Sequence, residues 1–101
     1  MFIVREIFYL QFGKYKEAKL LTDEAISNGI LSVTPGARML TDFTGSGYRL
    51  IFESSYATLA DFEKELSKEL NADLWKAWYE KFKPFVKSSE REILKEIATF
   101  K

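Results

Sequence analysis

The chain contains neither cysteine nor histidine. That removes disulfides, thiolate nucleophiles, sulfur-ligated metals, the Ser-His-Asp triad and the imidazole that most often serves as general base or haem ligand. Its chemistry must run on Glu, Asp, Lys, Arg and Tyr, or on a bound molecule. The densest set of candidate groups is the run DLWKAWYEKFKPFVKSSEREIL at residues 73–94, which holds Trp75, Trp78, Tyr79, Phe82 and Phe85. Trp75, Trp78 and Tyr79 are three and four residues apart and share one helix face. Two readings fit that spacing. The rings close a core, or they line a pocket for a flat apolar ligand, with Tyr79 or Arg49 fixing its orientation.

The other charged clusters have simpler explanations. Lys76, Lys81, Lys83 and Lys87 form a basic stripe, but Glu80 and nearby acids dilute it to a solvated helix face. Glu90, Glu92 and Glu96 recur at strand spacing and could hold a hard cation. Alternating charges on a solvent-facing strand account for them more directly, so neither metal nor cofactor is expected. TGSG at residues 44–47 joins two strands, whereas a phosphate loop leads from a strand into a helix. RNA recognition is disfavoured as well. GYRLIF at residues 47–52 matches the third-strand ribonucleoprotein motif only at Gly47, Tyr48 and Ile51, and 15 basic against 15 acidic residues exert no general pull on a polyanion.

The elements that must position these groups follow from periodicity. A chain of 101 residues is expected to form one domain over its whole length. FIVREIFYLQF (2–12) reads as a strand, and residues 14–28 as a helix with Tyr15, Ala18, Leu21 and Ala25 on one face. ARMLTDF and YRLIFES flank TGSG as a hairpin with a four-residue loop. Thr58 and Asp61 form a capping box ahead of the apolar stripe Leu59, Phe62, Leu66 and Leu70. Asp73 is the expected cap of a second helical piece, and Pro84 its stop. EREILKEIATF (90–100) closes the chain as a strand. Strand, helix, strand, strand, split helix, strand is the α+β, ferredoxin-like βαββαβ order: a four-stranded antiparallel sheet with helices on one face.

A monomer of this kind should be polar on the sheet face its helices leave open. Here Phe2, Val4, Phe8 and Leu10 share one face of the first strand, and Ile3, Ile7 and Tyr9 the other, with Arg5 among them. Tyr48, Leu50 and Phe52 likewise oppose Arg49, Ile51 and Glu53. Large apolar groups on both faces predict a homodimer through the sheet faces, with Arg5 and Arg49 or Glu53 finding partners in a mixed interior. No apolar run approaches the roughly 18 residues that span a bilayer, so no membrane association is expected. The strand-like opening lacks the order of a secretory signal, and a cytoplasmic location is expected.

FESSYATLADFEKEL followed by WKAWYEKFKPFVKSSEREIL, together with the opening VREIFYLQFGKYKEA, resembles the NIPSNAP-like group of the dimeric α/β-barrel superfamily. The resemblance implies a ferredoxin-like protomer whose sheet pairs with a second to close a barrel. The superfamily includes cofactor-free monooxygenases, isomerases and haem-degrading enzymes, the last of which hold iron through a histidine that this chain lacks. The resemblance leaves three readings. The first is a homodimer binding a small apolar or aromatic molecule between sheet and helices. The second is a cofactor-independent monooxygenase of phenolic or quinol-like substrates. There Arg5 or Arg49 would stabilise a phenolate, Tyr9, Tyr48 or Tyr79 would exchange protons, and Trp75 or Trp78 would stack on the ring. The third is a structural dimer with a filled interior. A cavity above about 300 Å³, lined by those aromatics and an arginine, separates the first two from the third.

Overall fold

Strand β1 (Phe2–Leu10) is hydrogen-bonded on both sides, and the sheet is built around it. The computed structural model describes residues 1–45 and 47–100. β1 is followed by helix α1 (Tyr15–Ser27), β2 (Arg38–Thr41), β3 (Arg49–Tyr56), α2 (Leu59–Leu70), α3 (Asp73–Phe82), a 3-10 turn at Lys83–Phe85, and β4 (Val86–Lys95). The four strands form one antiparallel sheet in the order β2-β3-β1-β4. This is the ferredoxin-like α+β fold, with its second helix in two pieces.

Period-two alternation on β1 and β3 sends Phe8, Leu10, Leu50 and Phe52 toward the helices. α1 presents its smallest residues, Ala18 and Ala25, with Thr22 between them, and all three are buried. The Thr22 hydroxyl donates to the Ala18 carbonyl oxygen at 2.8 Å, which satisfies a polar group that would otherwise be costly to bury. Asn28 caps the C-terminus of α1, and Gly29 follows at φ 73°, the left-handed conformation for which glycine carries no Cβ penalty. From α3, Trp78 and the fully buried Phe82 complete the core. Full burial of a phenylalanine contributes about 1.5–3 kcal/mol, so Phe82 is a principal tie between α3 and the sheet.

Several boundaries differ from the sequence expectation. β1 stops at Leu10, not Phe12. Thr58 Oγ1 does cap α2, accepting from the Asp61 backbone N–H at 3.1 Å. Asp73 does not cap α3. The cap is Ala72, and Asp73 is the first helical residue, its charge near the positive end of the helix dipole. The last strand begins four residues earlier than expected and ends at Lys95, because the 3-10 turn delivers the chain directly to β1, where Val86 pairs with Leu10. The connection between β2 and β3 runs over residues 42–48 and is longer than a four-residue turn. Ser46 of the TGSG segment lies outside the described residues, as does Lys101.

The open face of the sheet carries apolar and charged groups together. Ile7 and Ile51 are direct partners on β1 and β3 and are buried, yet neither belongs to the helix-side core. The flanking rows on the same face carry long polar side chains. One row is Arg38, Glu53, Arg5 and Glu92, which register places side by side across all four strands. Arg5 Nε donates to Glu53 Oε1 at 2.9 Å, Arg38 Nε donates to Glu53 Oε2 at 2.7 Å, and Arg5 lies 3.9 Å from Glu92. Arg5 and Glu53 thus find their partners within one chain.

Candidate functional site

A cavity of about 460 Å³ opens between the covered face of the sheet and the helices. Its floor is β1 and β3, through Phe8, Phe52 and Tyr56, and its walls are α2 and α3. The α3 wall is rigid. Trp78 Nε1 donates to the Leu21 carbonyl oxygen at 3.0 Å and so ties α3 to α1. Trp78 stacks on Phe82 with centroids 4.7 Å apart, and Phe82 meets Phe8 edge-on at 5.1 Å. Trp75 and Tyr79 stack nearly parallel, 11° between planes and 4.9 Å between centroids. Both are half-buried and both line the cavity.

The α2 wall is different. It is amphipathic, but none of its residues is buried, and Leu59 and Leu70 are exposed. Phe62 and Leu66 face the cavity together with Glu65 and Glu69, which sit three residues after each of them. Glu65 Oε2 is buried without a hydrogen-bond partner among the described residues. Burial pushes the Glu69 carboxyl above its usual range; the Ser32 backbone N–H opposes this, and the charges of Glu65 and Glu6 add to it. Burial, followed by the charges of Glu65 and Glu69, also raises the Tyr56 phenol.

The cavity's cations already have partners. Arg91 pairs with Glu6 and lies over the Phe62 ring, 5.2 Å from its centroid. Arg38 pairs with Glu53. Among the described residues, no cation pairs with Glu65 or Glu69. No group of acidic residues among them has the arrangement of a metal site.

The structure divides the residues singled out in the sequence. Trp75, Trp78 and Tyr79 line the cavity. Arg5, Tyr9 and Arg49 lie on the opposite, open face of the sheet. Tyr9 donates to Glu90 at 2.6 Å, a bond that raises its phenol, with burial adding to the effect. Arg49 clamps Asp42 at the mouth of the β2–β3 connection, with Nη2 2.8 Å from Oδ1. That clamp, through its side-chain hydrogen bonds first, holds the Asp42 carboxyl below the usual range. Glu53 also stays low: burial acts to raise it, and the hydrogen bonds and charges of Arg5 and Arg38 overcome that effect. Tyr48 precedes β3 at φ 56° and stacks loosely on Phe12, 5.2 Å between centroids, so it is not part of the strand face. Glu6, Tyr56, Glu65, Glu69 and Arg91 were not anticipated. The available signal was the spacing of Glu65 and Glu69, which puts them on the same helix face as Phe62 and Leu66.

No protein-family model matches the chain, and no curated protein matches it. Solved structures do. A NIPSNAP-family protein from Agrobacterium tumefaciens str. C58 is 27% identical, with 93% of this chain and 91% of that chain covered and a TM-score of 0.77. An uncharacterized NIPSNAP domain protein from Burkholderia xenovorans is 17% identical over 100% of this chain and 99% of that one, with a TM-score of 0.84. An antibiotic biosynthesis monooxygenase shares the fold at 9% identity, with 97% of this chain and 100% of that chain covered and a TM-score of 0.70. The structural neighbours therefore include NIPSNAP-family proteins, the group the sequence resembles, and monooxygenase-like proteins of the same ferredoxin-like fold.

Proposed function

We propose that this protein binds a small apolar or aromatic molecule in the cavity between its sheet and its helices. One observation carries the reading: a cavity of about 460 Å³, walled by Trp75, Trp78 and Tyr79, in a chain short enough that a core of this size would ordinarily be filled. Its volume falls in the range of ligand sites, and it weighs against a purely structural dimer with a packed interior. The two tryptophans of the chain both line it, so their fluorescence reports occupancy directly. Titration with a small aromatic series should quench or shift that emission saturably, and Trp75→Ala should abolish the response. A linear, unsaturable response across the series would overturn the reading.

A second reading, a cofactor-independent monooxygenase of phenolic or quinol-like substrates, draws on the fold shared with an antibiotic biosynthesis monooxygenase and on Glu69. A carboxylate raised by burial inside an aromatic cavity suits the removal of a phenolic proton. Arg5, Tyr9 and Arg49 lie across the sheet from that carboxylate, so a phenolate would look to Arg91 for its charge partner. Oxygen uptake with anthrone-like and quinol substrates tests the idea, and no turnover across the panel counts against it.

The homodimer through sheet faces belongs to the same proposal, as does a cytoplasmic location. The sheet's open face carries the half-buried Ile3, Arg5, Tyr9 and Arg49 and the exposed Leu94, and β4 is exposed from Lys87 onward. No helix among the described residues is long and apolar enough to cross a membrane. Light scattering after size separation should give twice the 11.8 kDa chain mass. A single-chain mass at micromolar concentration would remove the dimer.

A further inference from the structure

We infer that the cavity's ligand is an apolar molecule carrying a protonated amine, and that its ammonium lies between Glu65 and Glu69 with its hydrocarbon body against the Trp75–Tyr79 stack. The inference rests on the ligand-binding reading above and adds the chemical class of the ligand. Arg91, the cation that faces the cavity from β4, already pairs with Glu6, and Arg38 turns its guanidinium to Glu53 on the other side of the sheet, so Glu65 and Glu69 are left as an excess of negative charge on the α2 wall. They stand one helical turn apart, a spacing at which like charges repel. An anionic ligand would add to that repulsion. A neutral phenol could donate one hydrogen bond, yet it would leave the wall's charge unchanged. A primary ammonium offers three donors, enough to reach Glu65 Oε2, which has no partner, and Glu69 together.

The aromatic walls favour the same ligand. Trp75 and Tyr79 line the cavity as a stacked pair, and Phe62 lines it from α2. Rings of this kind attract a cation electrostatically and an apolar body by burial. The same side chains therefore serve both halves of an aryl-alkyl amine. α2, with no buried residue of its own, has little packing to lose by shifting toward such a ligand.

Calorimetry with 4-phenylbutylamine, 4-phenylbutanol, 4-phenylbutanoate and 4-butylphenol on the intact protein tests the assignment. The amine should bind at least about tenfold tighter than the alcohol, the advantage expected of charge-assisted hydrogen bonds, and the acid should bind weakest. In the double variant Glu65→Gln, Glu69→Gln the amine's advantage should vanish while the alcohol's affinity holds. Should that variant fail to fold, the ligand series on the unaltered chain still decides. Equal binding of amine and alcohol, or tighter binding of the phenol than of the amine, overturns the charge assignment and leaves the cavity reading intact. Binding by none of the four removes both.

Discussion

On the open face of the sheet, Arg38, Glu53, Arg5 and Glu92 stand in one row across four strands, and each charge has an opposite neighbour. On the covered face, Glu65 and Glu69 have none among the described residues, although both are half-buried. The ladder uses its charges for structure: it holds β2 to β3 and β1. On the α2 wall, Glu69 meets the Ser32 backbone N–H, and neither carboxylate meets a cation among the described residues. A charge that costs desolvation and returns no pairing energy is what the proposed amine ligand would use.

Substitutions can break or sharpen that contrast. The largest effect belongs to the covered face's packed end. Phe82→Ala should destabilise the protein by about 3–5 kcal/mol in chemical denaturation, since the ring is fully buried and joins Trp78 to Phe8. A loss under about 1 kcal/mol would mean that the core collapses around the gap and that the cavity beside it is soft as well. Next comes Glu53→Ala on the open face. It leaves Arg5 and Arg38 facing each other over the sheet, and it should cost about 1–2 kcal/mol, discounted because both guanidinium groups reach water. Raised salt should shrink that difference, and a salt-independent loss would show that packing over Ile7 and Ile51 dominates.

The smallest effect has the opposite sign. Glu69→Gln should stabilise the unliganded protein at neutral pH by about 0.2–0.5 kcal/mol, the worth of relieving one like-charge pair a turn apart. Its pH dependence follows from linkage. The folded state holds the Glu69 proton more tightly than the unfolded chain does, so wild-type stability from this group is complete at low pH. It is lost as pH rises from the ordinary carboxylate value through the higher folded one. The variant's advantage should therefore fade on acidification, and melting curves of both proteins at pH 7 and at acid pH check it. An advantage that persists in acid would place its cause outside the carboxylate's charge.

The fold was legible because each element carries its own period. Alternation in FIVREIFYL and RLIFESSY marks two central strands, and the spacing of Ala18, Thr22 and Ala25 marks the buried side of α1. β4 was less so, since VKSSER is polar on both faces and becomes strand only by pairing with β1. The connection at 42–48 was hidden for a related reason. Its closure depends on Arg49 reaching back to Asp42, a contact that no local propensity encodes. The aromatic half of the site was visible as a helix face. Its acidic half was not, because glutamates on a helix ordinarily face solvent, and only the superposition of α2 on β1 and β3 brings Glu65 and Glu69 toward Tyr56 and Glu6. On the open face, Ile7 and Ile51 are buried beside a row of paired charges, a juxtaposition that alternation alone does not reveal.

A helix of twelve residues with none of them buried has a consequence for timing. Its backbone amides should exchange with solvent through local openings, while those of β1 and α3 wait for the whole domain to unfold. A molecule seeking the cavity would then need only the least costly opening the protein makes, and once seated would slow it. The sheet, α1 and α3 set the shape of the chamber; α2 is its least anchored wall.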